Sequence, residues 1–173
     1  MVFSLLTNPR ALVLGLGDPS LGDEGIGVFL ARSLRLSLKE ADIEEAPREG
    51  PDFARIFHNY DLLILLDSIS MCSDVGRVML VSPYVLPDLK GAWVDHARAL
   101  VRALEDARIH GRRIPTVHVV VVCVPDLETP QGRMSPRMAA LYRAVYRRVR
   151  DVVRQLIREA QASSVRPSIH VGP

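Results

Sequence analysis

Apolar residues fall along this chain in two alternating rhythms. Residues 11–16 form an unbroken apolar run of strand length, as expected for a strand covered on both faces of a parallel sheet. After Gly22, Ile26, Phe29, Leu30, Leu34 and Leu38 recur at helical spacing, with Arg32, Arg35 and Lys39 between them, so a helix packs on that strand. Residues 41–46 predict a short second strand. A Pro- and Gly-containing break over 47–51 precedes a helix near 52–59. Leu62 to Leu66 are five consecutive apolar residues and predict a central strand ending at Asp67. Residues 76–81 predict a strand whose short link to its predecessor suggests an edge hairpin, which makes the sheet mixed. From Ala92, the residues Val94, Ala97, Leu100, Val101 and Leu104 mark a helix that stops at Gly111. Residues 116–124, TVHVVVVCV, are strongly β-branched and predict a core strand. The loop over 126–135 is long enough to be functional. Pro136 then opens a long helix with an apolar stripe (Leu141, Val145, Val149, Val152, Leu156) and an arginine stripe (Arg143, Arg147, Arg150, Arg154, Arg158) expected to face water. The expectation is a three-layer α/β fold, a twisted, mixed, mostly parallel sheet flanked by helices. One domain spans residues 1–162, and a loosely ordered tail spans 163–173.

The turn after the first strand, over residues 17–24, carries the first chemical signal. Gly15 and Gly17 begin a G-x-G-x-x-G dinucleotide pattern, but Ser20 stands where its third glycine belongs. Gly17 and Gly22 have P-loop spacing, yet Asp23 and Glu24 follow where Lys and Ser/Thr are required. Two carboxylates at a helix N-terminus occupy the place of an anion and repel phosphate. The natural guest is a cation, or a neutral group seeking an acceptor. Acidic residues in a first helical turn also serve as caps; Asp23 is read as such a cap and Glu24 as the chemical residue.

Asp67 ends the second central strand, on the edge of an open α/β sheet where ligands bind. Either it caps a turn with Ser68 and Ser70, or it converges with Glu24. His96 begins a later helix, a position that suits an exposed or capping histidine as well as a ligand. Together Glu24, Asp67 and His96 offer two carboxylates and one imidazole from three separate elements. That donor set suits a borderline divalent cation such as zinc or nickel and leaves a coordination position open; it equally suits acid/base work. His118 reads as a satisfied strand-end histidine. Cys123 reads as a core residue and Cys72 as an inert thiol, with a Cys72 hydrolase paired to His96 as an alternative.

Composition narrows the classes. The 173 residues are 48% hydrophobic and 24% charged, which is globular. With 22 basic and 20 acidic residues and a net charge of +2, nothing indicates nucleic-acid binding by bulk electrostatics. The first ten residues lack the marks of a leader, and no apolar run reaches the roughly 18 residues of a membrane span. A soluble, cytoplasmic protein is expected, with no membrane contact and a monomeric state.

The segments LVLGLGDPSLGDEGIGV, LLILLDSIS and DHARAL, in that order, resemble the hydrogenase maturation protease family, whose members open with V-L-G-x-G-N-x-L-x-x-D-[DE]-x-x-G. VVVVCVPDLETP resembles the family's closing strand and its Pro-acidic loop. The resemblance implies a phosphorylase/hydrolase-like α/β fold. It also implies an endopeptidase of aspartic type that removes a short C-terminal peptide from the precursor of a nickel-iron hydrogenase large subunit, once nickel is in place. The family's metal-contacting residues fall on Glu24, Asp67 and His96, and Asp67 and Glu24 are the candidate catalytic carboxylates. Nickel is carried by the substrate, and zinc or cadmium can replace it in vitro. The chain departs from the pattern at Asp18, where the family has Asn, at Ser20, where it has Leu, and at Asp95 before the histidine. These departures bear on substrate identity and remove no ligand. The other readings are a non-catalytic nickel-binding adaptor for hydrogenase assembly and a nucleotide-binding α/β domain.

Overall fold

The computed structural model describes residues 8–46, 50–70, 72–84, 94–125 and 132–164. Parts of the expected break over 47–51 and of the long loop over 126–135 lie outside these residues, as do Trp93, the side chain of Asp95, and the expected tail after Ser164. Among the described residues five strands and four helices follow in order: β1 (Ala11–Gly15), α1 (Ile26–Arg35), β2 (Asp42–Glu45), α2 (Phe53–Asn59), β3 (Leu62–Ile69), β4 (Val78–Val81), α3 (Val94–Ile109), β5 (Thr116–Cys123) and α4 (Pro136–Ser164). A 3-10 segment, Pro19–Gly25, links β1 to α1.

The strands form one sheet in the order β2-β1-β3-β5-β4. Pairing is parallel from β2 to β5, and β4 runs antiparallel on β5 at the edge. The sheet is therefore mixed, as expected, but the hairpin between β3 and β4 is not formed. β3 already has β1 on one side, from Ala11↔Leu62 to Gly15↔Leu66, and β5 on the other, from Leu62↔Thr116 to Ile69↔Cys123. With both edges of β3 filled, the chain crosses to the far side of β5, where the Gly76 N–H donates to the Cys123 carbonyl at 2.7 Å and the Cys123 N–H to the Arg77 carbonyl at 2.9 Å.

Alternation along β3 separates two cores. Leu62, Ile64 and Leu66 pack with α1 and α4, including Ile26, Leu30, Leu34, Val145 and Val149. Leu63, Leu65 and Ile69 pack with α2 and α3, including Ile56, Phe57, Leu100 and Leu104. Burial on both faces is why the central strands read as continuous apolar runs. On the first face α4 is keyed to α1 by tyrosines: the Tyr142 hydroxyl donates to the Phe29 carbonyl at 2.8 Å, and the Tyr146 hydroxyl meets Ser37 Oγ at 2.7 Å. The arginine stripe is only partly a solvated face. Arg143, Arg147 and Arg158 are exposed, but Arg154 is half-buried and donates to the Ser37 carbonyl at 3.1 Å, and Arg150 lies over the Tyr146 ring. Among the described residues no helix is long and apolar enough to cross a membrane.

Helix α1 lies so close to the sheet that Gly27 has no room for a side chain. A Cβ there would run into the carbonyl oxygen of Leu66 and come within 2.6 Å of that of Leu16. Both are backbone atoms of the sheet, so the helix itself must move. Gly27→Ala is expected to cost about 3 kcal/mol, seen as a fall in Tm of roughly 10 °C; an unchanged melting curve would contradict this packing.

Candidate active site

The turn after β1 is shaped by two residues with positive φ. Gly17 has φ +102°, and a Cβ on it would meet the Glu24 carbonyl; Gly22 has φ +69° and ψ −118° and breaks the 3-10 segment. Both conformations favour glycine. Asp18 holds the turn from its start, where Oδ1 accepts from the Ser20 N–H at 2.9 Å and from Ser20 Oγ at 2.6 Å. Beyond the break at Gly22 the two neighbouring acids part company.

Asp23 is 1% exposed and does not cap its own helix; α1 begins at Gly25 without a side-chain cap. Its Oδ1 accepts instead from the Ser135 N–H at 2.8 Å, while Ser135 Oγ accepts from the Met138 N–H and caps α4. Asp23 thus ties the turn to a helix 112 residues away. No local pattern announces a partner at that separation. Glu24 stays half-buried. Burial, reinforced by the negative charge of Asp18, raises its carboxyl above the ordinary range.

Asp67 lies inside β3, which runs on to Ile69, so it is not a turn residue. It continues the face of Leu63 and Leu65 and is 2% exposed. Burial pushes its pKa up to about 7; the Ser68 N–H, donating to Oδ1 at 2.7 Å, opposes this, and the Glu24 charge adds to the rise. Ser68 Oγ donates to the Glu24 carbonyl at 3.3 Å, which couples the end of β3 to the turn.

His96 sits in the first turn of α3, half-buried. It shares with Glu24 a cleft of about 470 Å³, whose walls also include Gly17, Asp18, Val28, Arg32, Glu45 and Ala46. Asp67 does not line this cleft; it is buried, within reach of the Glu24 charge. Among the described residues no three side chains of His, Cys, Asp or Glu form a group that could hold a metal ion. The cleft therefore presents the Glu24 carboxylate and the His96 imidazole to a guest, with Asp18 and Glu45 also in its walls and the Asp67 carboxyl, of near-neutral pKa, buried nearby. A borderline cation carried on another molecule suits these donors.

Cys123 is a buried core residue, as expected, but Cys72 differs from expectation. Cys72 and Cys123 are joined in a disulfide, with Cα atoms 6.0 Å apart, so Cys72 is no free thiol and a Cys72–His96 hydrolase is ruled out for this form. The parallel register sets Ile69 opposite Cys123, and Cys72 follows three residues later. That pairing depends on strand register, which the 51-residue separation conceals. Arg32 and Glu45 also line the cleft, and sequence spacing marks neither as a site residue beyond placing Arg32 eight positions after Glu24. His118 is half-buried in β5, where burial lowers its pKa against the opposing charge of Glu159, and it does not line the cleft.

Neither a protein-family model nor a curated protein sequence matches the chain. Solved structures do. The hydrogenase maturating endopeptidase HybD from Escherichia coli is similar at 25% identity and a TM-score of 0.63, over 84% of this chain and 93% of that one. The chain is similar in fold to hydrogenase maturation proteases. The fold is shared as well by the [NiFe] hydrogenase maturation protease HybD from Thermococcus kodakarensis, at 17% identity and a TM-score of 0.63 over 86% of this chain and 99% of that one. HycI from the same organism, also a [NiFe] hydrogenase maturation protease, matches at 18% identity and a TM-score of 0.60, over 91% and 96%. The motif that carries the sequence resemblance is the β1–α1 turn, and its acidic pair divides into the buried Asp23 and the cleft-lining Glu24.

Proposed function

We propose that the chain is an endopeptidase that removes a short C-terminal peptide from the nickel-loaded precursor of a nickel-iron hydrogenase large subunit. The observation that carries this reading is the cleft that Glu24 and His96 share, close to a buried Asp67. Nickel enters with the substrate. Glu24 and His96 take exchangeable coordination positions on it, and this holds the scissile bond in place; without nickel the bond is not positioned. Asp67 or Glu24 accepts the proton of the attacking water as general base and passes it to the leaving amine: Glu24 lines the cleft, and Asp67, with a pKa near 7, is buried beside it. Zinc or cadmium substitutes for nickel in vitro through the same donors.

A resident nickel-binding adaptor would need its donors already assembled. The test is incubation with the nickel-loaded precursor and with its nickel-free form, reading precursor mass before and after. Loss of the C-terminal peptide from the nickel-loaded form alone is expected, with at least a 100-fold loss of rate in Asp67→Asn or His96→Ala, on the order of a general acid–base contribution. Tight nickel binding by the isolated protein, with no cleavage of several precursors, would establish the adaptor instead.

A further inference from the structure

The cleft continues beyond the residues assigned to nickel. Glu24, Val28 and Arg32 all line it: Val28 and Arg32 lie one turn apart on α1, and Glu24 precedes them in the 3-10 segment that leads into the helix. The two ends of this stretch carry opposite charge. Asp18 and Glu24 stand at one end. At the other, Arg32 donates from Nε and Nη2 to Glu45 Oε2 at 3.2 and 2.8 Å, and Arg35 Nη2 lies 3.5 Å from Glu45 Oε1. Two guanidinium groups share one carboxylate, so this end keeps an excess positive charge. Both arginine side chains remain about half exposed, at 51% and 52%. Glu45 consumes two of the five donors of Arg32 and orients the rest. Val28 and Ala46 supply an apolar middle.

We infer that this cleft binds an extended peptide carrying a carboxylate about four residues from the residue seated at Glu24 and His96, and that Arg32, braced by Glu45, reads that carboxylate. From Glu24 to Arg32 the chain climbs about 4 Å through the end of the 3-10 segment and about 9 Å along α1, and an extended chain covers that distance in about four residues. The inference rests on the proposed peptidase reading for the identity of the occupant. The carboxylate belongs either to an Asp or Glu side chain or to the α-carboxyl of a chain terminus; the recognition chemistry is the same.

The test uses binding alone, so that it succeeds or fails separately from cleavage. The probes are five-residue peptides with histidine at one end and nickel(II) bound to it. One set has aspartate at the other end, with a blocked terminus; a second has asparagine there; a third has alanine with a free α-carboxylate. Histidine-first and histidine-last versions are made of the aspartate and asparagine peptides; the free-carboxylate peptide is histidine-first only, because the α-carboxylate ends the chain. Affinity for the full-length protein is read by calorimetry at low and high salt. The aspartate or the free-carboxylate peptide is expected to bind about 10-fold more tightly than the asparagine peptide, with the preference fading in high salt. Arg32→Gln abolishes the preference while leaving the affinity for the asparagine peptide within about twofold. Comparing peptides on the unaltered protein guards against a variant that fails to fold. Equal affinity for all of these peptides would overturn the inference. A carboxylate preference together with no cleavage of any precursor would keep it and remove the peptidase reading.

Discussion

Asp67→Asn raises the stability of the protein at pH 8 while abolishing cleavage, and the gain disappears by about pH 4. The reason is the cost of holding a carboxylate where water cannot reach it. In the folded chain Asp67 titrates at about 7, and in the unfolded chain near the ordinary 3.8. Between these values the folded state keeps a proton that the unfolded state has released, so stability falls as pH rises through this window. Above pH 7 both states are ionised and the whole cost is present. At about 1.4 kcal/mol for each pH unit between the two values, that cost is on the order of 4 kcal/mol. Asparagine carries no charge and keeps an oxygen to accept from the Ser68 N–H. A rise in Tm of roughly 10 °C at pH 8 is expected, shrinking steadily as pH falls. Glu24→Gln removes the lesser cause of the shift, so it weakens the pH dependence without cancelling it. A difference in Tm between wild type and Asp67→Asn that does not vary with pH would show that the carboxylate is not buried in this way.

The second large effect comes from the disulfide. Cys72→Ser lowers stability by about 4 kcal/mol, the chain-entropy value for closing a loop of roughly 50 residues. The bond fastens the segment that follows β3 to the end of β5, so its loss frees the connection that leads into the edge strand β4. Cys123 is fully buried, which shields the bond from thiol exchange in the folded state. Denaturant unfolding with and without a thiol reductant provides the measurement. Reductant is expected to move the wild-type midpoint to that of Cys72→Ser and to leave the variant unchanged. Titration of two free thiols in the denatured, unreduced protein would contradict the bond directly.

What sequence alone determined about this protein is local and short in range. The apolar runs of β1, β3 and β5 announced buried parallel strands because both of their faces are covered, which leaves no polar alternation to confuse the reading. The glycine turn announced an acidic, phosphate-repelling site because steric room and charge sign at a helix start are properties of adjacent residues. Tertiary structure decided everything that depends on which distant segments meet. Pairing of β5 with β3 displaced β4 from its expected hairpin and brought Cys72 to Cys123. The break at Gly22 sent Asp23 to Ser135 and left Glu24 for the cleft, although the two acids are neighbours in the chain and chemically alike. Burial at the end of β3 gave Asp67 its near-neutral pKa, a property of its surroundings that its identity does not carry. Spacing along a chain encodes periodicity and local strain; register, burial and charge coupling arise only when the layers close on one another.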